Sequence, residues 1–162
     1  MSSTVKPMLD RYDRKILDVL QRDALTPAAR IGDAIGLSAA AVQRRIKRLR
    51  QQGVITETVV HVDPKALGFP IHCVVGVDLD YESAQAIDRF AQQAQSHPQV
   101  QQCYYVTGPT DFMLIVIAHD MEHYEQLTRD LFLSNPNVKS FTTHVVLERQ
   151  LCGQYIPLEP ED

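Results

Sequence analysis

The strongest constraint on this chain is a turn at Gly36-Leu37-Ser38 set between two short amphipathic stripes. Ile31, Ala34 and Ile35 supply the buried stripe of the first. Thr26 is expected as its N-cap, with Pro27 at the first helical position, where a missing N–H costs nothing. Gly36 stands where a helix C-terminus wants a positive φ. Leu37 then folds back onto the core, and Ser38 caps a second helix that runs to about Gln52 and stops at Gly53. Two short helices joined by a tight glycine turn make a helix-turn-helix. A further helix precedes them: in LDRYDRKILDVLQRD, Leu9, Tyr12, Ile16, Val19 and Leu20 recur at helical spacing.

The second helix is two-faced. At 100° per residue, Val42, Ile46 and Leu49 share a narrow arc and must face the core. The opposite arc holds Ala40, Arg44, Lys47, Arg48 and Gln51, with Gln43 at its edge. Arg45 flanks the core arc and is expected to reach a neighbouring element or a phosphate. DNA asks for this chemistry. Phosphates want Lys and Arg, guanine wants a bidentate donor such as Arg44, and adenine an amide such as Gln43. A small residue at Ala40 allows close approach to the groove, and the helix amides capped by Ser38 would hold a phosphate. The candidate DNA-binding set is Ser38, Ala40, Gln43, Arg44, Lys47 and Arg48. The competing reading is a solvated basic helix. Against it, no acid stands between residues 34 and 56. Charge is also segregated: residues 1–60 hold eleven Lys and Arg against six acids, and residues 61–162 hold five against fourteen. A net charge of -4 therefore does not argue against a polyanionic partner.

After Gly53 the period changes. VITETVVHV is β-branched and reads as a strand or wing-like ribbon. DPKALGFP, at 63–70, is punctuated as a linker, dividing a DNA-binding domain at 1–62 from a second domain at 71–162. That second part reads strand, helix, strand, turn, strand, helix, strand, a ferredoxin-like βαββαβ order. Expected helix faces are Ile87, Phe90, Ala91 and Ala94, then Met121, Tyr124, Leu127 and Leu131. SHPQV at 96–100 is echoed by SNPNV at 134–138, each where a helix should stop and a strand begin. The fold class is α+β.

Other chemistry finds little support. No apolar run approaches the ~18 residues of a membrane span, and the N-terminus has no apolar signal block, so a cytoplasmic protein is expected. Cys73, Cys103 and Cys152 are far apart and read as reduced structural thiols. His119 and His123 lie on different expected elements, which disfavours a metal pair. Asp78 and Asp80 are expected to face solvent. With no nucleophile elbow, P-loop or GxGxxG, neither catalytic residues nor a cofactor are expected.

LDRYDRKILDVLQRD, GLSAAAVQRRIKRLRQQGVI, DPKALGF and VTGPTDFMLIV together resemble the Lrp/AsnC (feast/famine) family of regulators, from about Leu9 to Leu158. The resemblance implies a winged helix-turn-helix on double-stranded DNA and a ferredoxin-like, RAM-type effector domain. It further implies homodimers assembling to octamers, and a small-molecule effector, usually an amino acid, bound between effector domains. It points to Gly108 and Asp111, in a loop from Thr107 whose amides would cradle a carboxylate. The chain departs from the family's pattern at Ala39, where many members have proline. It departs again in the last strand, where many members have two threonines two residues apart: Phe141 stands at the first position, and Thr143 keeps the second. Phe141 at a pocket wall would favour an apolar or aromatic effector. Two alternatives share this body plan: a sirohaem-decarboxylase-like enzyme, and an architectural DNA-binding protein with no effector.

Overall fold

A computed structural model describes residues 8–151 and 153–158. Cys152 lies outside the described residues. The chain forms two compact units, one from residues 1–60 together with 151–162, the other from residues 61–150.

The first unit carries three helices: α1 (Arg11–Arg22), α2 (Ala28–Ile35) and α3 (Ala39–Gln51). Asp10 caps α1: its Oδ1 accepts from the amides of Tyr12 and Asp13 at 2.9 Å each. Asp13 Oδ2 returns the favour by accepting from Asp10 N at 3.2 Å, a reciprocal capping box. Helix α2 starts one residue later than expected, because the Thr26 amide closes a turn onto Asp23 O at 3.2 Å and Pro27 keeps extended ψ. Thr26 is therefore not the cap. Gly36 ends α2 at φ 77°, and Ser38 Oγ accepts from Ala41 N at 3.2 Å, as the sequence requires. Ile16, Ile31 and Val42, one from each helix, form the sealed centre, with Leu37 and Ile46 packed against it.

Gly32 explains how α2 and the turn come so close. A Cβ there would lie 2.3 Å from the Leu37 carbonyl oxygen. The Gly32 carbonyl accepts from the amides of Gly36 and Leu37 at 2.8 and 2.9 Å, tying the turn to the helix.

After Gly53 the expected ribbon is not formed. Residues 54–63 carry no strand, and Val59, Val60 and Val62 are exposed. Strand propensity is satisfied only by a ladder partner, and among the described residues none reaches this segment.

The second unit is a four-stranded antiparallel sheet in the order β2-β3-β1-β4, with β1 (Ile71–Leu79), β2 (Val100–Tyr105), β3 (Phe112–Ala118) and β4 (Val138–Val145). Helices α4 (Ala84–Gln95) and α5 (Met121–Thr128) complete the βαββαβ order, α5 continuing into a π-helical turn, Arg129–Leu133. Alternation decides the faces. Cys73, Val75, Val77 and Leu79 on β1, and Phe112, Leu114, Val116 and Ala118 on β3, join Phe90, Ala94, Tyr124, Leu127, Leu131 and Phe132 in one core. Met121 is not among them. It is half exposed at the first position of α5, one step past the Asp120 cap, ahead of the turn that meets the sheet.

The echoed pentapeptides form matching corners. The hydroxyls of Ser96 and Ser134 each donate at 2.6 Å to a carbonyl in the preceding helical turn, Gln93 O and Asp130 O. The amides of Val100 and Val138 each reach back three residues, to His97 O at 2.9 Å and Asn135 O at 3.0 Å. Among the described residues, no helix is long and apolar enough to cross a membrane.

Candidate functional site

The face of α3 is set by what holds its flank. Arg45 Nη1 donates to Asp10 Oδ2 at 2.7 Å and to Asp13 Oδ1 at 2.9 Å. Arg48 Nη2 donates to Asp13 Oδ2 at 2.5 Å. The Asp13 side chain is 1 % exposed, whereas those of Arg45 and Arg48 are 23 % and 44 % exposed. One buried carboxylate on α1 thus fastens two arginines of α3, three residues apart on one side of the helix. Although burial works against the charged form of Asp10, the Asp13 amide and Arg45 hold its carboxyl below the ordinary value, and Asp10 in turn raises Arg45.

The remaining candidates face outward. Ala40, Gln43, Arg44 and Lys47 are exposed, and Arg44 and Lys47 have no hydrogen-bond or ion-pair partner among the described residues. Ser38 is exposed and spends its hydroxyl on the cap. Arg48 differs from the other five, since one of its nitrogens is committed to Asp13. The two anchoring acids, Asp10 and Asp13, lie outside the expected DNA-binding set. The signal was present: Asp13 stands in the buried stripe of α1 beside Ile16 and Leu17, and a carboxylate there demands a cation.

The second candidate lies in the sheet unit, in the loop from Thr107 to Asp111. The loop closes by Val106 N donating to Asp111 O at 2.9 Å and by Asp111 N donating to Val77 O at 3.0 Å. Asp111 Oδ2 accepts from Leu79 N at 2.6 Å. Strand β3 pairs with β1 only as far as Val77, so the Leu79 amide would otherwise lack a partner on that side. Gly108 has φ 131°, open to glycine and strained for other residues. The amides of Thr107, Gly108 and Thr110 have no acceptor among the described residues. Thr110 covers the sheet at Gly76, where an added Cβ would meet the Thr110 methyl at 3.0 Å.

Phe141 and Thr143 are not brought to this loop within the chain. They pair with Val77 and Val75 and share their helix-facing side, whereas Thr110 lies over Gly76 on the other. The Phe141 ring packs on Phe132 with centroids 4.7 Å apart, and Thr143 Oγ1 shares a hydrogen bond with the Tyr124 hydroxyl at 2.5 Å. Phe141 is thus half-buried and packed against the edge of the helix-side core.

The other polar clusters have partners of their own. His119 and His123 stack at 5.0 Å, with Phe69 on the far side of His119 at 3.9 Å, and His119 Nδ1 donates to Gly68 O at 2.5 Å. No metal-binding group of three or more ligands is present among the described residues. Asp78 accepts from Ser140 Oγ at 2.5 Å. Cys73 is buried and Cys103 half-buried, and desolvation pushes both thiols up, which keeps them unreactive.

Comparison with known proteins agrees with both halves. Residues 9–50 match the AsnC-type helix-turn-helix domain, and residues 72–155 match the Lrp/AsnC ligand binding domain. An uncharacterised HTH-type transcriptional regulator of Sinorhizobium fredii, y4tD, is 43 % identical over 151 residues, covering 93 % of this chain and 89 % of its own. The crystal structure of an AsnC family transcriptional regulator from Agrobacterium tumefaciens superposes with a TM-score of 0.86 at 26 % identity, covering 92 % of this chain and 97 % of that one. A transcriptional regulator from Neisseria meningitidis, solved as a complex with L-Met, gives a TM-score of 0.86 at 25 % identity, covering 93 % and 97 %.

Proposed function

The chain belongs to the Lrp/AsnC family of transcriptional regulators, and we propose that it reads DNA through the open face of α3 and senses an amino acid at the loop between β2 and β3. It is a DNA-binding regulator with a ligand-binding domain, and the enzyme alternative is dropped because its relatives are named as transcriptional regulators.

The observation that carries the DNA reading is the division of labour on α3. Arg45 and Arg48 fasten the helix to Asp13, while Gln43, Arg44 and Lys47 stay free. A fixed helix with unspent donors is the arrangement base reading needs. Lys47 and the capped helix N-terminus take phosphates, Arg44 reads guanine, and Gln43 reads adenine. Arg48 acts mainly as a positioning residue.

The sensing loop offers three unengaged amides, at Thr107, Gly108 and Thr110, of the kind that cradle a carboxylate. The L-Met complex of the Neisseria relative supports an amino acid as the effector class. Asp111 holds the loop to β1 and has one carboxylate oxygen left for an ammonium group. Two or more copies act together in the cytoplasm. The unit presents one reading helix, and the sheet face away from the helices carries half-buried Val74, Met113 and Ile115, suited to pairing with a second copy. Paired reading helices would meet a pseudo-palindromic site in successive major grooves.

The test uses a duplex selected from a random pool by the wild-type protein. Arg44→Ala should weaken binding by about 1–3 kcal/mol and relax the preference at one base pair. Wild-type affinity in Arg44→Ala would show that α3 is oriented otherwise. A thermal-shift screen of the twenty amino acids against wild type and Asp111→Asn identifies the effector; a ligand that stabilises both equally would exclude Asp111 from the site.

A further inference from the structure

The sheet unit is built from two similar halves, β1-α4-β2 and β3-α5-β4, and both helices begin alike. Ser83 Oγ accepts from the Ala86 amide at 3.1 Å, and Asp120 Oδ1 accepts from the His123 amide at 2.7 Å. Each amide lies three residues after its cap. The buried faces match at equal steps from the caps, Phe90 with Leu127 and Ala94 with Leu131. Ser96 stands 13 positions after Ser83, and Ser134 stands 14 after Asp120. The π-helical turn at Arg129–Leu133 takes up the extra residue. Three residues beyond each of these serines comes a side-chain amide, Gln99 at one corner and Asn137 at the other. Ala86 and Asn137 are therefore the counterparts of His123 and Gln99. Each pair joins the helix of one half to the corner of the other.

One pair is closed by a ring. His123 Nε2 lies 3.0 Å from the Gln99 side-chain amide, and its Nδ1 accepts from the His119 amide at 3.3 Å. At the other pair the helix carries a methyl group instead of an imidazole. There a cavity of about 410 Å³ opens, lined by both Ala86 and Asn137, a size that suits a small molecule. Its polar wall is already held in place. Asn137 Oδ1 accepts from Tyr81 N and Nδ2 donates to Tyr81 O, each at 3.0 Å. Asn135 Nδ2 donates to Gln93 Oε1 at 2.9 Å. The second amide hydrogen on Asn137 Nδ2 is left for a guest. Phe90 and Pro136 add apolar lining. Arg89 also lines the cavity and is exposed, with no hydrogen-bond or ion-pair partner among the described residues. No carboxylate shares the lining among those residues.

We propose that this corner is a second small-molecule site, separate from the loop between β2 and β3, and that it takes a small planar heteroaromatic acid. The ring occupies the slot beside Ala86 and accepts from Asn137, as the His123 ring occupies the slot beside Gln99 at the other corner. The acid group pairs with Arg89, whose planar guanidinium matches a carboxylate with two parallel hydrogen bonds. A rigid ring entering a wall that is already fixed loses little freedom on binding.

The test follows amide NMR shifts of the full, isotope-labelled chain on titration with imidazoleacetate, which carries both ring and acid. Imidazole and acetate, which carry one each, are titrated beside it. Imidazoleacetate should shift Ala86, Arg89 and Asn137 saturably, and its two fragments should bind at least about tenfold more weakly. Arg89→Ala should weaken its binding by about tenfold, and the fold should survive because Arg89 is exposed. Ala86→His should abolish binding by supplying the ring from the helix itself, at a step from the cap where α5 already carries a histidine. Shifts confined to residues 107–111, or found nowhere, overturn the site. Binding left unchanged by Ala86→His or by Arg89→Ala overturns it as well. Neither variant lies in the loop between β2 and β3, so amino-acid sensing there is scored separately.

Discussion

A carboxylate that is 1 % exposed holds two guanidiniums in the reading unit, and much follows from that one residue. Asp13 closes the capping box of α1 with one oxygen, shares that oxygen with Arg48, and gives the other to Arg45. Its burial is tolerable because each oxygen meets a cation. Replacing it with alanine removes three hydrogen bonds and leaves two arginines that can still turn to water, since both are partly exposed. Asp13→Ala should therefore cost about 1–3 kcal/mol rather than the larger loss of a fully buried pair, read by urea unfolding. DNA affinity should fall as well, because α3 loses its fixed seat. A variant with wild-type stability would remove Asp13 from the support of α3. Residue patterns on α3 separated core from surface correctly, but Arg48 falls on the wheel between Arg44, which faces out, and Arg45, which faces α1. Which side it joins depends on where α1 lies, and a single helix pattern does not contain that.

At the scale of elements, local signals set most boundaries. Gly36, Ser38 and Gly53 punctuate α2 and α3 as their backbone chemistry requires, and each sheet strand alternates around the face it buries. Exceptions occur where a second element enters. Thr26 is drawn into a turn with Asp23, so α2 begins without a side-chain cap. The β-branched run after Gly53 has strand propensity and no partner. Gly32 is the reverse case, a poor helix former inside a helix, kept because the Leu37 carbonyl occupies the space of a Cβ. Alanine in a helix interior normally stabilises relative to glycine by about 0.5–1 kcal/mol. Here Gly32→Ala should destabilise by roughly 1–3 kcal/mol, because the α2–α3 turn must move aside. Thermal unfolding decides the sign, and a stabilised variant would mean the turn yields freely.

Across the whole molecule, the two units should respond to acid in different ranges. His72 is buried in the sheet unit; desolvation first, then the charges of Arg149 and Lys65, push it below its ordinary 6.5. The unfolded chain then takes up a proton that the folded one refuses. Stability of this unit is full above about pH 6.5 and declines as pH falls from there toward the depressed folded value. Asp10 in the reading unit is also depressed, from an ordinary 3.8, so its contribution is full above that value and lost only below it. Amide-exchange reporters in each unit between pH 7 and 3 should show the sheet unit loosening first. A sheet unit whose protection stays flat from pH 7 to 5 would contradict the burial of a neutral His72.

The sequence by itself determined the helix-turn-helix, the βαββαβ order, the matching corners at Ser96 and Ser134, the core arc of α3 and the segregation of charge. Each is written in spacings of two to four residues or in local turn chemistry, and such short-range rules act before any long-range contact forms. Tertiary structure alone decided that Arg48 faces Asp13, that Phe141 pairs with Val77 on the helix-facing side of the sheet, that Asp111 serves the Leu79 amide, and that Tyr155 and Ile156 return to α1. These depend on which surfaces meet across gaps of about thirty to well over a hundred residues. There the outcome is set by which polar groups burial leaves in need of a partner, and that need exists only once the chain has folded.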